Sequence, residues 1–234
     1  MTLSIKNLTV QYKAVTALKN ITLSLEPGKL TAIIGRNGSG KTTLLKSICG
    51  LAPLSSGEIL FDGQSAISAQ HRIAYLPQKD KVDLNFPVTV RGVVEMGRFP
   101  HLGWTKAFRP EDEEKVSQAI TTMKLNDLQD RHISELSGGQ QQRTYIARAL
   151  AQEADVLLLD EPYSGLDEPS QDDLTDLLNN LANQNKMLLV SHHDIATVRH
   201  HFPHSILVNQ TLIVHGSTED ILTQDNLDKA FYRG

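Results

Sequence analysis

Among its 234 residues the chain has one cysteine, few aromatics (5%) and no excess of basic charge, the balance being −4 at neutral pH. Each scarcity excludes something. A lone Cys49 cannot form a disulfide within the chain, so the sequence fits a reducing compartment, and Cys49 reads as a small core residue. Without a basic surplus to offset phosphate repulsion, a general nucleic-acid binder is disfavoured. No apolar run approaches the roughly 20 residues of a membrane-spanning helix, and the start, Met1 to Lys6, alternates like a strand instead of reading as a signal sequence. The expectation is a cytoplasmic protein, with peripheral attachment to a membrane partner left open.

What is present begins at Gly35-Arg36-Asn37-Gly38-Ser39-Gly40-Lys41-Thr42, which fits the phosphate-binding pattern G-x-x-x-x-G-K-[ST]. Its context is right. Leu30 to Ile34 is a short β-branched apolar run, whereas Thr43 to Cys49 reads as an opening helix. Glycines let backbone N–H groups close on phosphate oxygens, and the helix N-terminus adds its positive end. Gly35, Asn37, Gly38, Ser39, Gly40, Lys41, Thr42 and Thr43 are thus candidate nucleotide contacts, Lys41 for the β- and γ-phosphates and Thr42 for Mg²⁺. A glycine-rich turn without ligand is the bland alternative.

Val156-Leu157-Leu158-Leu159-Asp160 reads as a central strand ending in a carboxylate, followed by Glu161. Ligands gather at the carboxyl ends of parallel strands, so Asp160 is placed to serve the metal and Glu161 to act as general base on water. Strand signals from Leu3 to about Asp62 fade between Gln78 and Leu150, where Glu111–Lys124 and Gln140–Leu150 carry helical patterning. They resume at Val156, with Met187 to Val190 as another central strand and a hairpin around Asn209-Gln210. A nucleotide-binding core of residues 1–77 and 156–234, interrupted by a helical lobe at 78–155, is the expected organisation within a single domain, 1–234.

Leu136-Ser137-Gly138-Gly139-Gln140 then identifies the combination: with the motifs above it resembles the ATP-binding subunit of an ABC transporter over nearly the whole chain. The resemblance implies an α/β fold, a P-loop NTPase core with a mostly parallel sheet flanked by helices, an antiparallel β subdomain and the inserted helical lobe. It implies that Ser137, Gly138, Gly139 and Gln140 contact ATP held by a second copy, in a homodimer with ATP sandwiched between subunits. A serine-capped helix start is the alternative for that motif alone. Tyr12 matches the aromatic that stacks on adenine, with a core tyrosine as its competitor. Gln78, in Tyr75-Leu76-Pro77-Gln78, matches the glutamine that touches Mg²⁺ and the attacking water. Asp167 matches the loop residue that communicates with the opposite site, and His192 the switch histidine on the γ-phosphate. His193 has no role in this alignment and reads as a loop residue.

Asp83 to Val90 and Met96 to Trp104 are similar to subunits of manganese, zinc and iron importers, as is the segment from Gly216 to Leu227. Siderophore and cobalamin importers share Gly97-Arg98-Phe99-Pro100-His101 and are the alternative. The kinship implies ATP and Mg²⁺ as cofactors, integral membrane permease subunits, an extracellular or periplasmic binding protein as indirect partner, and a place on the inner face of the membrane. Phe86 and Trp104 read either as a docking groove for the permease or as lobe core. His200, His201 and His204 invite a metal reading, but Pro203 interrupts the segment and a solvated turn is the better expectation. A soluble ABC ATPase of translation, cluster assembly or DNA maintenance would carry duplicated cassettes, a coiled-coil insertion or a basic face, none of which is present. A plain P-loop kinase does not explain the second cradle at Ser137.

Overall fold

The computed structural model describes residues 1–78, 87–102 and 107–231. Phe86 and Trp104, offered as groove or core, lie outside these.

Three strands are buried along their full length: β3 (Leu30–Ile34), β7 (Val156–Asp160) and β8 (Met187–His192). Strands covered on both faces must be apolar at successive positions, which is why these segments read as continuous runs. They are central in a sheet ordered β10-β9-β3-β8-β7-β6, with β6 (Ile73–Leu76) at one edge and β9 (His204–Asn209) with β10 (Thr211–Ser217) at the other. Neighbours are parallel except β9 and β10, the expected hairpin, whose turn residue Gln210 has φ 58°. The edge strand β6 was not expected; four residues give too little periodicity to stand out, although Ile73-Ala74-Tyr75-Leu76 before Pro77 carries the apolar run.

Alternation divides the sheet's faces. Leu157 and Leu159 join one cluster with helices on that side, whereas Val156 and Leu158 join the other with Leu44, Leu45 and Ile48 of α1 (Lys41–Ile48). An antiparallel sheet, β2-β1-β4-β5, also contributes to the second cluster; it comprises β1 (Leu3–Tyr12), β2 (Val15–Leu25), β4 (Ser56–Phe61) and β5 (Gln64–Ser65).

Between β6 and β7 the described residues are helical: α2 (Val90–Glu95), α3 (Phe99–Leu102), α4 (Pro110–Thr122) and α5 (Gly138–Ala151). Pro110 suits the first turn of α4, whose acids Glu111, Asp112 and Glu113 complement the helix dipole. Asp112 also accepts the Arg109 N–H at 3.0 Å. Val116, Ala119 and Ile120 face α2 and α5, each large side chain contributing roughly 1.5–3 kcal/mol by burial.

The Gly97-Arg98 pair has a packing reason. A Cβ on Gly97 would stand 2.2 Å from the Arg148 carbonyl oxygen of α5, so only glycine allows that approach. Buried Arg98 donates to Asp112, to the Ala151 carbonyl and to Glu153, tying three segments together.

After β7 come α6 (Glu168–Asn183), then β8, α7 (Ile195–His201), the β9–β10 hairpin, α8 (Thr218–Ile221) and α9 (Gln224–Phe231). His200 and His201 end α7 with rings 4.7 Å apart, while His204 opens β9. Among the described residues no group of three His, Cys, Asp or Glu side chains is placed to hold a metal ion.

Candidate functional site

Parallel register brings the ends of β3, β6, β7 and β8 to one edge of the sheet: Ile34 pairs with His192, Leu76 with Leu159, and Asp160 with Ser191. Each strand then releases its functional residue there. β3 opens into Gly35–Gly40, β6 leads through Pro77 to Gln78, and β7 ends at Asp160.

Ala17, Asn37, Gly38, Ser39, Gly40, Lys41, Thr42, Thr43, Gln78, Glu161 and His193 line a cavity of about 410 Å³ at this edge. Gly38 and Gly40 adopt φ +80° and +102°, conformations that side-chain-bearing residues rarely take, and a Cβ on Gly40 would meet Leu18 at 2.5 Å. Gly40 leads into α1; among the described residues no side chain caps this helix and no acid occupies its first turn. Its N–H groups therefore face the cavity as anion donors. Lys41 is buried and donates to the Gly35 and Arg36 carbonyls at 2.8 and 3.2 Å. Burial lowers its pKa, while Glu161 and Asp160 oppose that shift.

Asp160 is 3% exposed and accepts from Thr42 Oγ1 at 3.0 Å and from Ser191 Oγ at 2.7 Å on one oxygen, and from Tyr75 at 3.1 Å on the other. A hydroxyl and a carboxylate converging at a phosphate loop are hard oxygen donors of the kind Mg²⁺ takes, with phosphate and water supplying the rest. The residues present thus fit the cation. Glu161 follows in a left-handed conformation, φ 51°, its carboxylate accepting from Gln78 Nε2 at 3.2 Å. Against phosphate donors on one side and a carboxylate on the other, the cavity can hold a nucleotide and activate water beside it.

His192, expected at the γ-phosphate, is the last residue of β8. It is not in the wall of the phosphate cavity; it is 5% exposed and packs against Tyr163 and Phe202, ring centroids 5.3 and 6.1 Å away. Its Nδ1 accepts the Asp194 N–H, and burial chiefly pushes its pKa down to about 4, leaving it neutral. His193 faces the cavity instead, with Nδ1 3.9 Å from the Glu161 carboxylate. His193, the first residue beyond β8, is exposed, and its side chain reaches the cavity.

Tyr12 closes the β1–β2 turn, paired with Val15, and is 43% exposed, a platform instead of a core residue. It does not line the phosphate cavity. Ser137 caps α5 and lies in a separate cavity of about 200 Å³ with Gly139, Gln140, Arg143 and Leu166. Gly138 opens α5 beside it, and exposed Asp167 caps α6 without using its side chain. One chain therefore presents two cradles that it does not bring together.

A family model described as ABC transporter matches residues 18–164. The manganese transport system ATP-binding protein MntB of Listeria innocua is 39% identical over 229 residues, 98% of this chain and 95% of its own. The zinc transport system ATP-binding protein TroB of Treponema pallidum is 40% identical over 227 residues, 97% of this chain and 85% of its own. Among solved structures, a transporter described as of metal-chelate type in an inward-facing conformation superposes with a TM-score of 0.86 at 32% identity, covering 98% of this chain and 88% of that one.

Proposed function

The chain belongs to the ABC transporter family as an ATP-hydrolysing subunit, and we propose that the transporter it energises imports a transition metal ion, manganese first and zinc second. The observation that carries this is similarity over nearly the full chain to ATP-binding proteins named for manganese and zinc transport.

Subunits of this family work as dimers with membrane permease partners. In our reading the partner is a second copy of this chain, head to tail, so that Ser137, Gly138, Gly139, Gln140 and Asp167 of one copy close over ATP held by Gly35 to Thr43 of the other. The separation of the two cradles within one chain supports that arrangement. The pair sits on the inner face of the membrane through its permease, a binding protein delivers the ion outside, and no nucleic acid takes part. Exposed Phe99 and Phe108 offer apolar surface for the permease.

Lys41 exchanges the Gly35 and Arg36 carbonyls for the β- and γ-phosphates, and Tyr12 stacks on adenine. Glu161, steadied by Gln78, accepts the proton of the attacking water, and His193 takes the γ-phosphate role first assigned to His192. Thr42, Asp160 and Gln78 would hold Mg²⁺, which when bound supplies positive charge against the phosphates. Residues 78–155 act as a lobe moving on the core of 1–77 and 156–234, so that closure and hydrolysis alternate the permease's access.

Intracellular manganese, zinc and iron are to be measured under metal limitation in cells carrying the intact chain or Glu161→Gln at matched expression. A selective fall in manganese or zinc is expected. Unchanged metals with lost ATPase activity would favour the second reading, uptake of a metal chelate, to which the metal-chelate-type structure lends its specific support.

A further inference from the structure

Ser191 lies at the end of β8, fully buried, paired in register with Asp160 across the parallel ladder. Its hydroxyl makes two hydrogen bonds whose directions are not in doubt. The Glu161 backbone N–H can only donate, and reaches Ser191 Oγ at 2.8 Å, which leaves the Ser191 proton for Asp160 Oδ1 at 2.7 Å. One hydroxyl thus links the backbone of the proposed base to the side chain of the proposed metal ligand. Tyr75 occupies the opposite Asp160 oxygen at 3.1 Å, so the carboxylate is held on both edges.

Glu161 needs such a restraint. Its φ of 51° is one a non-glycine residue keeps only when its surroundings hold it, and Pro162 constrains the next peptide. The Ser191 hydroxyl accepts the N–H of that residue, fixing the peptide plane from which the Glu161 side chain departs toward Gln78.

We propose that Ser191 is a positioning residue for ATP hydrolysis, fixing the Glu161 backbone against the Asp160 carboxylate so that the base faces the γ-phosphate. The proposal rests on the assignment of Glu161 as base. Ser191 does not itself line the phosphate cavity, so it acts through the Glu161 backbone and the Asp160 carboxylate and not on nucleotide.

The test is a double-mutant cycle on the full chain: parent, Ser191→Ala, Glu161→Gln and the double variant, each assayed for kcat and for affinity toward trinitrophenyl-ATP. Ser191→Ala should lower kcat about tenfold with nucleotide affinity within twofold of the parent. In the Glu161→Gln background the same substitution should change the residual rate less than twofold, because the group it positions is gone. A tenfold loss in both backgrounds, an unchanged kcat in Ser191→Ala, or a matching loss of affinity would each overturn the proposal. Ser191→Cys, which keeps the volume with a weak sulfur acceptor, replaces the alanine variant if that one unfolds and is read by the same outcomes. Glu161→Gln at the parent rate would overturn the catalytic reading itself, a result distinct from any outcome at Ser191.

Discussion

The two cradles are both glycine-bearing turns into a helix, and they are built in opposite ways. At α1 the N-cap is Gly40, left-handed at φ 102°, and among the described residues no side chain caps it. At α5 the N-cap is Ser137, whose hydroxyl accepts the Gln140 N–H at 3.4 Å while Gln140 Oε1 accepts the Ser137 N–H at 3.0 Å. A helix that caps itself has already spent part of its anion-binding capacity; one without a side-chain cap keeps its N–H groups for a ligand. The first cradle also encloses a buried ammonium, Lys41, while Ser137 stands exposed. One chain should hold nucleotide at the first cradle alone, with the second adding its contacts when another copy closes.

The comparison breaks most sharply at Lys41. Lys41→Ala should reduce ATP hydrolysis by about 10³-fold, roughly 4 kcal/mol of transition-state stabilisation, and weaken nucleotide binding by a single chain, as read by fluorescent-nucleotide titration. Ser137→Arg should leave that single-chain affinity within twofold and cut hydrolysis by about 100-fold, since the added side chain obstructs the site of the other copy. Equal loss of single-chain binding in both variants would erase the distinction.

Stability separates the cradles next. Gly40→Ala forces a side chain into φ +102° against Leu18 and the Ala17 carbonyl and should lower unfolding free energy by about 2–3 kcal/mol in urea titrations.

The histidines give a pH test. His192, with a folded pKa of about 4 against about 6.5 when unfolded, binds protons more readily in the unfolded chain. Its contribution is therefore present above pH 6.5 and lost as pH falls toward 4, amounting to about 2 kcal/mol by pH 5. His192→Phe should flatten this part of the stability profile, while His193→Ala should leave it and lower hydrolysis instead.

Gly139→Ala should have the smallest effect, under about 1 kcal/mol on stability, because its Cβ would meet Ser170 and Leu166 no closer than 3.8 Å and alanine favours the helix.

Much of this was legible in order along the chain. The apolar runs Leu30–Ile34, Val156–Leu159 and Met187–Val190 announced buried strands because a sheet covered on both faces tolerates little else. The glycines at 35, 38 and 40 announced a backbone that closes on phosphate, and Asp160 with Glu161 announced acids at a strand end. The short edge strand Ile73–Leu76 was not legible, since its place depends on pairing with Val156–Leu159, far along the chain. Nor was the hydrogen-bonding of Arg98, which reaches Asp112 and Glu153 from different segments.

The sequence by itself determined the nucleotide chemistry and the family, because phosphate binding needs particular residues at fixed local spacing, and local spacing survives in the chain. The tertiary structure alone decided that His193 and not His192 lines the phosphate cavity and that Ser191 links the Glu161 backbone to the Asp160 carboxylate, because both depend on where β8 ends beside β7. Orientation at a strand end is set by the register of neighbouring strands, and register is a property of the assembled sheet.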